Sequence, residues 1–279
     1  MILIADSGST KTDWRLISNS VEISQHITKG LNPYHLSENQ ISDEVFVLTK
    51  KIDATKISAL FFYGAGCSTE TKKQHVKNAL QKNFVNAHIE VEHDLLAAAR
   101  ATCLNQKGMA AILGTGANSC LFNGKEIIEN IPSLGYLLGD EGSGAYMGRM
   151  LLVQYLQHEL PNNLMEAFKK NYPFSLEQLL DSVYKQSMPS RYLASFAPFL
   201  LQHKNHSHIR LLVEDAFQLF FTRYICKYTN YHTFPLHFVG SIAFYHHETL
   251  QYVAEKNNVH IGKIIEKPIA GLVLYHTGI

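Results

Sequence analysis

Residues 2–17 read I-L-I-A-D-S-G-S-T-K-T-D-W-R-L-I, and residues 109–122 read M-A-A-I-L-G-T-G-A-N-S-C-L-F. In each stretch an apolar run of strand length meets a turn rich in Gly, Ser and Thr, and a second apolar run follows. The short spacing between the runs predicts antiparallel hairpins. Working outward from the first, Val21–Ile27 continues as a third strand. A helix follows over Leu36–Leu48, a buried strand over Ile57–Tyr63 and a polar amphipathic helix over Thr69–Phe84. A short strand at Ile89–Val91 and an alanine-rich helix over Leu95–Cys103 complete the half. From Met109 the pattern restarts, with strand partners at Cys120–Phe122 and Glu126–Ile128. A mainly helical stretch then runs from Gly144 to Tyr231, with one long helix expected over His208–Tyr228. Leu236–Val239 is a strand, a helix begins near Ile242, Val259–Ile265 is the last strand and Ile269–His276 the last helix. Strands alternating with helices define an α/β class. Two halves that open alike predict a bilobal protein with a cleft between domains 1–107 and 108–267, the closing segment 268–279 packing back on the first.

Composition agrees with a folded, two-domain chain. At 279 residues, 46% hydrophobic and 18% charged, there is more chain than one core needs. A net charge of +1 offers no basic surplus for nucleic acid. The four cysteines, Cys67, Cys103, Cys120 and Cys226, are scattered and form no C-x-x-C pair, which leaves metal ligation by spacing without support. The apolar start is too short for a signal peptide, and no run reaches the about 18 apolar residues of a membrane span. The cytoplasm is the expected compartment.

The turns carry the chemistry. In D-S-G-S-T-K-T, Gly8 is expected to permit positive φ and to let backbone N–H groups approach an anion. Ser9, Thr10 and Thr12 add hydroxyl donors and Lys11 adds charge. Asp6, at the strand end, is placed to face Mg²⁺ through water. In I-L-G-T-G-A-N-S, Gly114 and Gly116 flank Thr115, and Asn118 can donate through its amide. A third turn, G-D-E-G-S-G over Gly139–Gly144, precedes a helix, where Asp140 and Glu141 would also suit the helix dipole. A fourth, Val239-Gly240-Ser241, joins a strand to a helix. None matches the G-x-x-x-x-G-K-[ST] phosphate loop.

Taken in this order, the turns resemble those of the BadF/BadG/BcrA/BcrD-type ATPases, and within them the N-acetylglucosamine kinases of the acetate kinase–sugar kinase–Hsp70–actin superfamily. The string L-G-Y-L-L-G-D-E-G-S-G-A-Y, Leu134–Tyr146, carries most of the specificity. The resemblance implies two ribonuclease H-like, actin-like ATPase domains and ATP-dependent phosphorylation of an amino sugar with Mg²⁺. It implies nucleotide contacts at Gly8, Ser9, Thr10 and Lys11, at Thr115, Gly116, Ala117 and Asn118, and at Gly240 and Ser241, where Val239 replaces the first of the usual paired glycines. It implies Asp94 as the catalytic carboxylate, with helix capping as the alternative for that residue. For the sugar it implies Asn32, Asp94, Thr115, Gly116, Gly135 and Asp140. Tyr63–Cys67 and Ala270–Gly271 correspond to connecting elements whose small residues allow close packing.

The fifteen histidines are scattered. His203, His206 and His208 read as a solvated loop before a helix rather than a metal tract, and His246 and His247 as a helix surface. The aromatics from Phe217 to Tyr228 read as core, with a homodimer interface as the other use. Competing functions are a glucosamine or N-acetylmuramic acid kinase, an activator ATPase with an iron–sulfur cluster, and an actin- or Hsp70-like assembly protein. Cys103 and Cys120 supply no comparable cluster motif for the second.

Overall fold

The computed structural model describes residues 1–8 and 10–278. The chain forms two compact units. The first comprises residues 1–106, Asn123–Ile127 and the stretch from Lys267, and the second Lys107–Phe122 and Ile128–Glu266. Lys107 thus belongs to the second unit, and the short segment Asn123–Ile127 to the first.

In the first unit, strands β1 (Ile2–Ser7), β2 (Lys11–Ser18) and β3 (Val21–Lys29) form an antiparallel meander. Helix α1 (Glu38–Thr49), strand β4 (Ala59–Gly64), helix α2 (Glu70–Gln81), strand β5 (His88–His93) and helix α3 (Asp94–Cys103) follow. The sheet order is β3-β2-β1-β4-β5, with β4 parallel to both β1 and β5. Alternation along β1 sends Leu3 and Ala5 into the core shared with α1 and α2, where Ile41, Val45, Val76 and Leu80 are fully buried. Ile4 and Asp6 therefore face the opposite side, where α3 and the C-terminal helix Ile269–Thr277 pack.

Helix α3 is buried nearly all round because Ala97, Ala98, Ala99 and Ala101 are small. At Gly271 a Cβ would stand 2.3 Å from the Ala101 carbonyl oxygen, so only glycine lets the C-terminal helix come this close. A polar chain fastens the same helix. Arg100 donates to Glu90 (2.7 Å) and to the Tyr63 hydroxyl (2.6 Å), which donates to His276 Nε2 (2.8 Å). Burial, with the Arg100 charge adding to it, pushes His276 down to about 4, so the ring is the neutral acceptor this chain requires.

The second unit repeats the topology. Strands β6 (Gly108–Leu113), β7 (Ala117–Phe122) and β8 (Ile127–Glu129) lead into helices α4 (Gly135–Leu138), α5 (Gly144–Leu156), α6 (Asn162–Asn171), α7 (Leu176–Tyr184), α8 (Pro189–Ala194), α9 (Ala197–Gln202) and α10 (Ser207–Arg223). Strand β9 (Leu236–Val239), helices α11 (Ser241–Tyr245) and α12 (His247–Lys256) and strand β10 (Ile261–Ile265) complete it. Its sheet order, β10-β9-β6-β7-β8, matches the first sheet position for position, β9 lying parallel to β6 and β10. The expected long helix stops at Arg223, and Ile225–Lys227 is a 3₁₀ turn. Phe217, Phe220, Phe221, Tyr224 and Tyr228 are buried in the core, so this stretch offers them to no oligomer interface. The His203–His208 stretch, read as a loop before a helix, leads into α10: His206 Nδ1 caps that helix by accepting from the His208 N–H, and His208 Nε2 pairs with Gln154. None of the four cysteines forms a disulfide. Among the described residues no helix is long and apolar enough to cross a membrane.

Gly271→Val should lower unfolding stability by about 2–3 kcal/mol, the range for overpacking a tight contact. Urea denaturation would measure it, and a variant of unchanged midpoint would refute the close-approach argument.

Candidate active site

The first turn is fastened from below. β1–β2 register sets Ser7 opposite Thr12, whose hydroxyls lie 2.8 Å apart. Thr12 donates to the Lys29 carbonyl (2.9 Å), and Ser7 Oγ accepts from the Leu31 N–H (3.0 Å). Both side chains are buried, so Thr12 ties β1, β2 and β3 together and is not an outward donor, as the sequence suggested. Gly8 donates its N–H to the Lys11 carbonyl (3.0 Å) and leaves room for a Cβ, and its φ is not positive. The expected left-handed conformation is absent there because the turn closes without it. Gly8, Thr10 and Lys11 are exposed. Ser9 lies outside the described residues.

Three carboxylates gather behind this turn. Asp6 on β1 pairs in register with Asp13 on β2, and Asp94 opens α3. Burial, then the charges of Asp94 and Asp13, push Asp6 up to about 7, against the pull of Lys11 and Lys267. Burial pushes Asp94 up to about 6, against the backbone N–H groups of Leu95 and of Asp94 itself. Asp13 is ion-paired with Arg15. Asp94 is not the cap of its helix. His93 is, its Nδ1 accepting from the Leu96 N–H at 3.3 Å. Asn32 uses its side-chain oxygen in a local turn, accepting from the Tyr34 N–H (2.9 Å), and packs on Gly66, where φ is +85° and a Cβ would meet that oxygen at 2.4 Å. Its amide nitrogen is the group left to donate.

In the second unit two stretches distant in sequence, Asp140–Ala145 and Gly240, converge on the Gly114–Ala117 turn. The α5 N–H groups of Gly144 and Ala145 donate to the carbonyls of Gly114 (2.8 Å) and Thr115 (3.0 Å). Ser143 Oγ accepts from the Tyr146 N–H (3.1 Å), and the Ser143 carbonyl from the Met147 N–H (3.0 Å). The first-turn donors of α5 are thus all used within the protein. Asp140, buried and at φ +59°, accepts from the Ala117 N–H (3.3 Å) and the Ser133 hydroxyl (3.1 Å). Its carboxylate also lies 3.1 Å from where a Cβ of Gly116 would be. Burial raises its pKa. Glu141 does not serve a helix dipole. It points into the unit, ion-paired with Arg223 and accepting from the Tyr224 hydroxyl at 2.8 Å. Gly240 has φ +123°, and a Cβ there would meet the Leu113 carbonyl oxygen at 2.3 Å. Asn118 holds Asn130 and the Ser119 N–H with its oxygen, and Thr115 is exposed. Gly135 has φ +72° with open space beside it.

A cavity of about 240 Å³ opens between these turns. Gly114, Thr115, Gly144 and Ser241 form one part of its wall, and Ala194, Ala197, Pro198 and Leu201 from α8 and α9 supply an apolar part. Ile242, Tyr245 and His246 complete it. Turn backbone and apolar side chains together give it the mixed lining of a small-ligand pocket. The sequence pointed to the glycine and serine positions only. The α8–α9 wall has no motif of its own, and His246, expected on a helix surface, is 5% exposed. Among the described residues no cluster of three or more His, Cys, Asp or Glu side chains is disposed to hold a metal ion.

No protein-family model matches the chain, and no curated protein matches it. Among solved structures it is similar to a Porphyromonas gingivalis protein described as a putative N-acetylglucosamine kinase. They share 40% identity over 100% of this chain and 99% of that one, at a TM-score of 0.95. A Chromobacterium violaceum protein described in the same words covers 98% of each chain at 14% identity and a TM-score of 0.69. A ROK family glucokinase from Streptomyces griseus, in complex with glucose and AMPPNP, aligns over 98% of this chain and 97% of that one, at 11% identity and a TM-score of 0.56. The last two show the shared fold, the two-domain α/β architecture of actin-like ATPases. The protein is therefore a sugar kinase of actin-like fold. At 40% identity over the whole of both chains, it belongs to the family of the Porphyromonas gingivalis protein.

Gly240→Ala should force the Leu113–Gly114 backbone to shift and should cost about 2–3 kcal/mol of stability, combining a left-handed alanine with a backbone clash. Thermal unfolding would measure it, and an unchanged midpoint would show that β9 yields freely.

Proposed function

We propose that the protein transfers the γ-phosphoryl group of ATP to a hydroxyl of an amino sugar, with N-acetylglucosamine as the favoured acceptor, giving the 6-phosphate and ADP. The description of the 40% identical Porphyromonas gingivalis protein supports this acceptor. The Leu134–Tyr146 string supports placing the chain among the BadF/BadG/BcrA/BcrD-type proteins. The observation that carries the mechanism is Asp94: a half-buried carboxylate at the first position of α3, relieved of capping by His93 and raised to about 6. Such a group is ionised at neutral pH yet a better proton acceptor than an ordinary aspartate. It takes the proton of the sugar hydroxyl as that oxygen bonds to the γ-phosphorus and the bond to the β-phosphate oxygen breaks, releasing ADP.

The remaining work is positioning and charge neutralisation. Phosphate contacts are assigned to Gly8, Ser9, Thr10 and Lys11 and to Thr115, Gly116, Ala117 and Asn118. Gly240 and Ser241 serve the nucleoside. Asn32, Thr115, Gly116, Gly135 and Asp140 serve the sugar. Asp140 does so while holding the second turn through the Ala117 N–H. Mg²⁺ is assigned to Asp6, whose pKa is raised by burial and then by the charges of Asp94 and Asp13, a cost that a cation would relieve. One carboxylate with waters and phosphate oxygens is a usual Mg²⁺ set. The ion would neutralise charge on the β- and γ-phosphates. A reducing, ATP-rich cytoplasm suits these parts.

The direct test is ADP release from ATP and Mg²⁺ with N-acetylglucosamine, glucosamine, N-acetylmuramic acid, N-acetylmannosamine, glucose or no sugar. We expect a strong rise with N-acetylglucosamine. A greater rise with another sugar reassigns the acceptor, and release indifferent to every sugar sinks the kinase reading.

Asp94→Asn should lose roughly 10²–10⁴-fold in sugar-dependent turnover, the usual worth of a general base, while keeping nucleotide affinity. It should also be more stable than the wild type at pH 8. The folded pKa, about 6, exceeds the ordinary 3.8. The benefit of protonation is therefore complete below about pH 4 and is lost as pH rises through 6. At pH 8 the neutral amide avoids that cost, by up to about 3 kcal/mol. Wild-type turnover would remove Asp94 from the base role, and a lower midpoint at pH 8 would refute the burial penalty.

A further inference from the structure

His246 is a buried titratable group that the mechanism above does not use. It follows α11, the helix that starts at Ser241 beside the glycine turns. It is 5% exposed, and among the described residues no hydrogen bond is recorded to either ring nitrogen. Neither ring nitrogen is among the fully enclosed polar atoms left without a partner, so both remain open to solvent and free to meet a ligand. The ring also contributes to the walls of two cavities: the one of about 240 Å³ that contains Gly114, Thr115 and Ser241, and a second of about 400 Å³ bounded by Lys204, Arg210, Glu214 and Glu248. His246 therefore borders ligand space.

Its position selects which part of a ligand it meets. At a helical rise, His246 lies about 7 Å along α11 from Ser241. A ligand that sets its phosphates at the Gly114–Thr115 turn thus presents the far end of its nucleoside, the base, to His246. The wall opposite is Ala194, Ala197, Pro198 and Leu201, flat and apolar, which suits a base face rather than a phosphate or ribose. The charge state agrees. Burial, with Lys204 adding to it, pushes His246 down to about 4, so the ring is neutral at physiological pH and carries one donor and one acceptor. Lys204 is the charged neighbour that acts on it, and Lys204 is itself ion-paired with Glu248.

We propose that His246 is a nucleotide-specificity residue, its neutral imidazole hydrogen-bonding the edge of a purine held between the second glycine turn and the α8–α9 wall. This rests on the nucleotide reading of that cavity given above. A pyrimidine, with one ring fewer, falls short of the imidazole, so His246 favours purine over pyrimidine nucleotides.

Calorimetric titration of the full chain, its His246→Phe and its His246→Gln variants with ADP, GDP, CDP and UDP tests it. The wild type is expected to prefer the purine diphosphates. His246→Phe should bind ADP about tenfold more weakly, with little change for CDP and UDP. The Gln variant, which restores a donor and an acceptor, should recover part of that loss. An unchanged ADP-to-CDP ratio in the Phe variant overturns the proposal while leaving the kinase reading intact. A wild type that binds none of the four removes both. Photolabelling of the wild type with 8-azido-ADP needs no variant to fold. Label on the segment containing Tyr245 and His246 supports the proposal, and label confined to other segments overturns it.

Discussion

The second unit depends on one backbone stack. The Gly114–Ala117 turn is gripped by the first N–H groups of α5, by the Asp140 carboxylate and by the bare backbone of Gly240. The first two come from the Asp140–Ala145 segment and the third from the end of β9, some hundred residues on. A side chain at Gly240 would collide with Leu113, and one at Gly144 would press on the Gly114 carbonyl at 3.3 Å. The turn is rigid before any ligand arrives, and rigidity of this kind is what electrostatic stabilisation of a transferring phosphoryl group requires. Because α5 gives its N-terminal donors to the turn, its helix end is a girder for the turn rather than an anion site.

The first unit reaches a similar turn by other means. Its sheet has the same strand order, but hydroxyl groups do the fastening, with Ser7 and Thr12 bridging three strands. Behind the turn the two units differ most. The first collects Asp6, Asp13 and Asp94 where burial and mutual repulsion raise the pKa of Asp6, and burial that of Asp94. The second keeps two buried carboxylates that both have partners: Asp140, satisfied by a backbone N–H and a hydroxyl, and Glu141, held by Arg223 and the Tyr224 hydroxyl. The strained carboxylates stand where proton transfer and cation binding are proposed, and the satisfied ones where only geometry is asked for. That division follows from what a buried charge costs when it lacks a partner.

Much of the architecture was legible because it rests on local pattern. Apolar runs bounded by Gly, Ser and Thr located most strands, and the recurrence of one hairpin at Met109 announced the duplicated sheet. Asp140, Gly116 and Gly240 were singled out by their turns and do lie against the same short loop. Other readings failed where a residue's role depends on partners remote in sequence. Thr12 looked like an outward donor and is consumed by Lys29. Glu141 looked like a dipole partner and is held by Arg223 and Tyr224, some 80 residues on. His246 looked like surface and is buried beside two cavities, since periodicity along a five-residue helix is too short to define a face.

The sequence by itself thus determined the two-fold repetition, the glycine turns and the identity of the carboxylates, because hydrophobic periodicity, turn chemistry and ionisable type are properties of adjacent residues. The tertiary structure alone decided which hydroxyls and carboxylates are spent on the fold, which stay poised, and which apolar wall faces the second turn. Those outcomes depend on burial and on contacts between segments far apart in the chain. The free energy of a polar group is set by what surrounds it in space, and one-dimensional order does not record that.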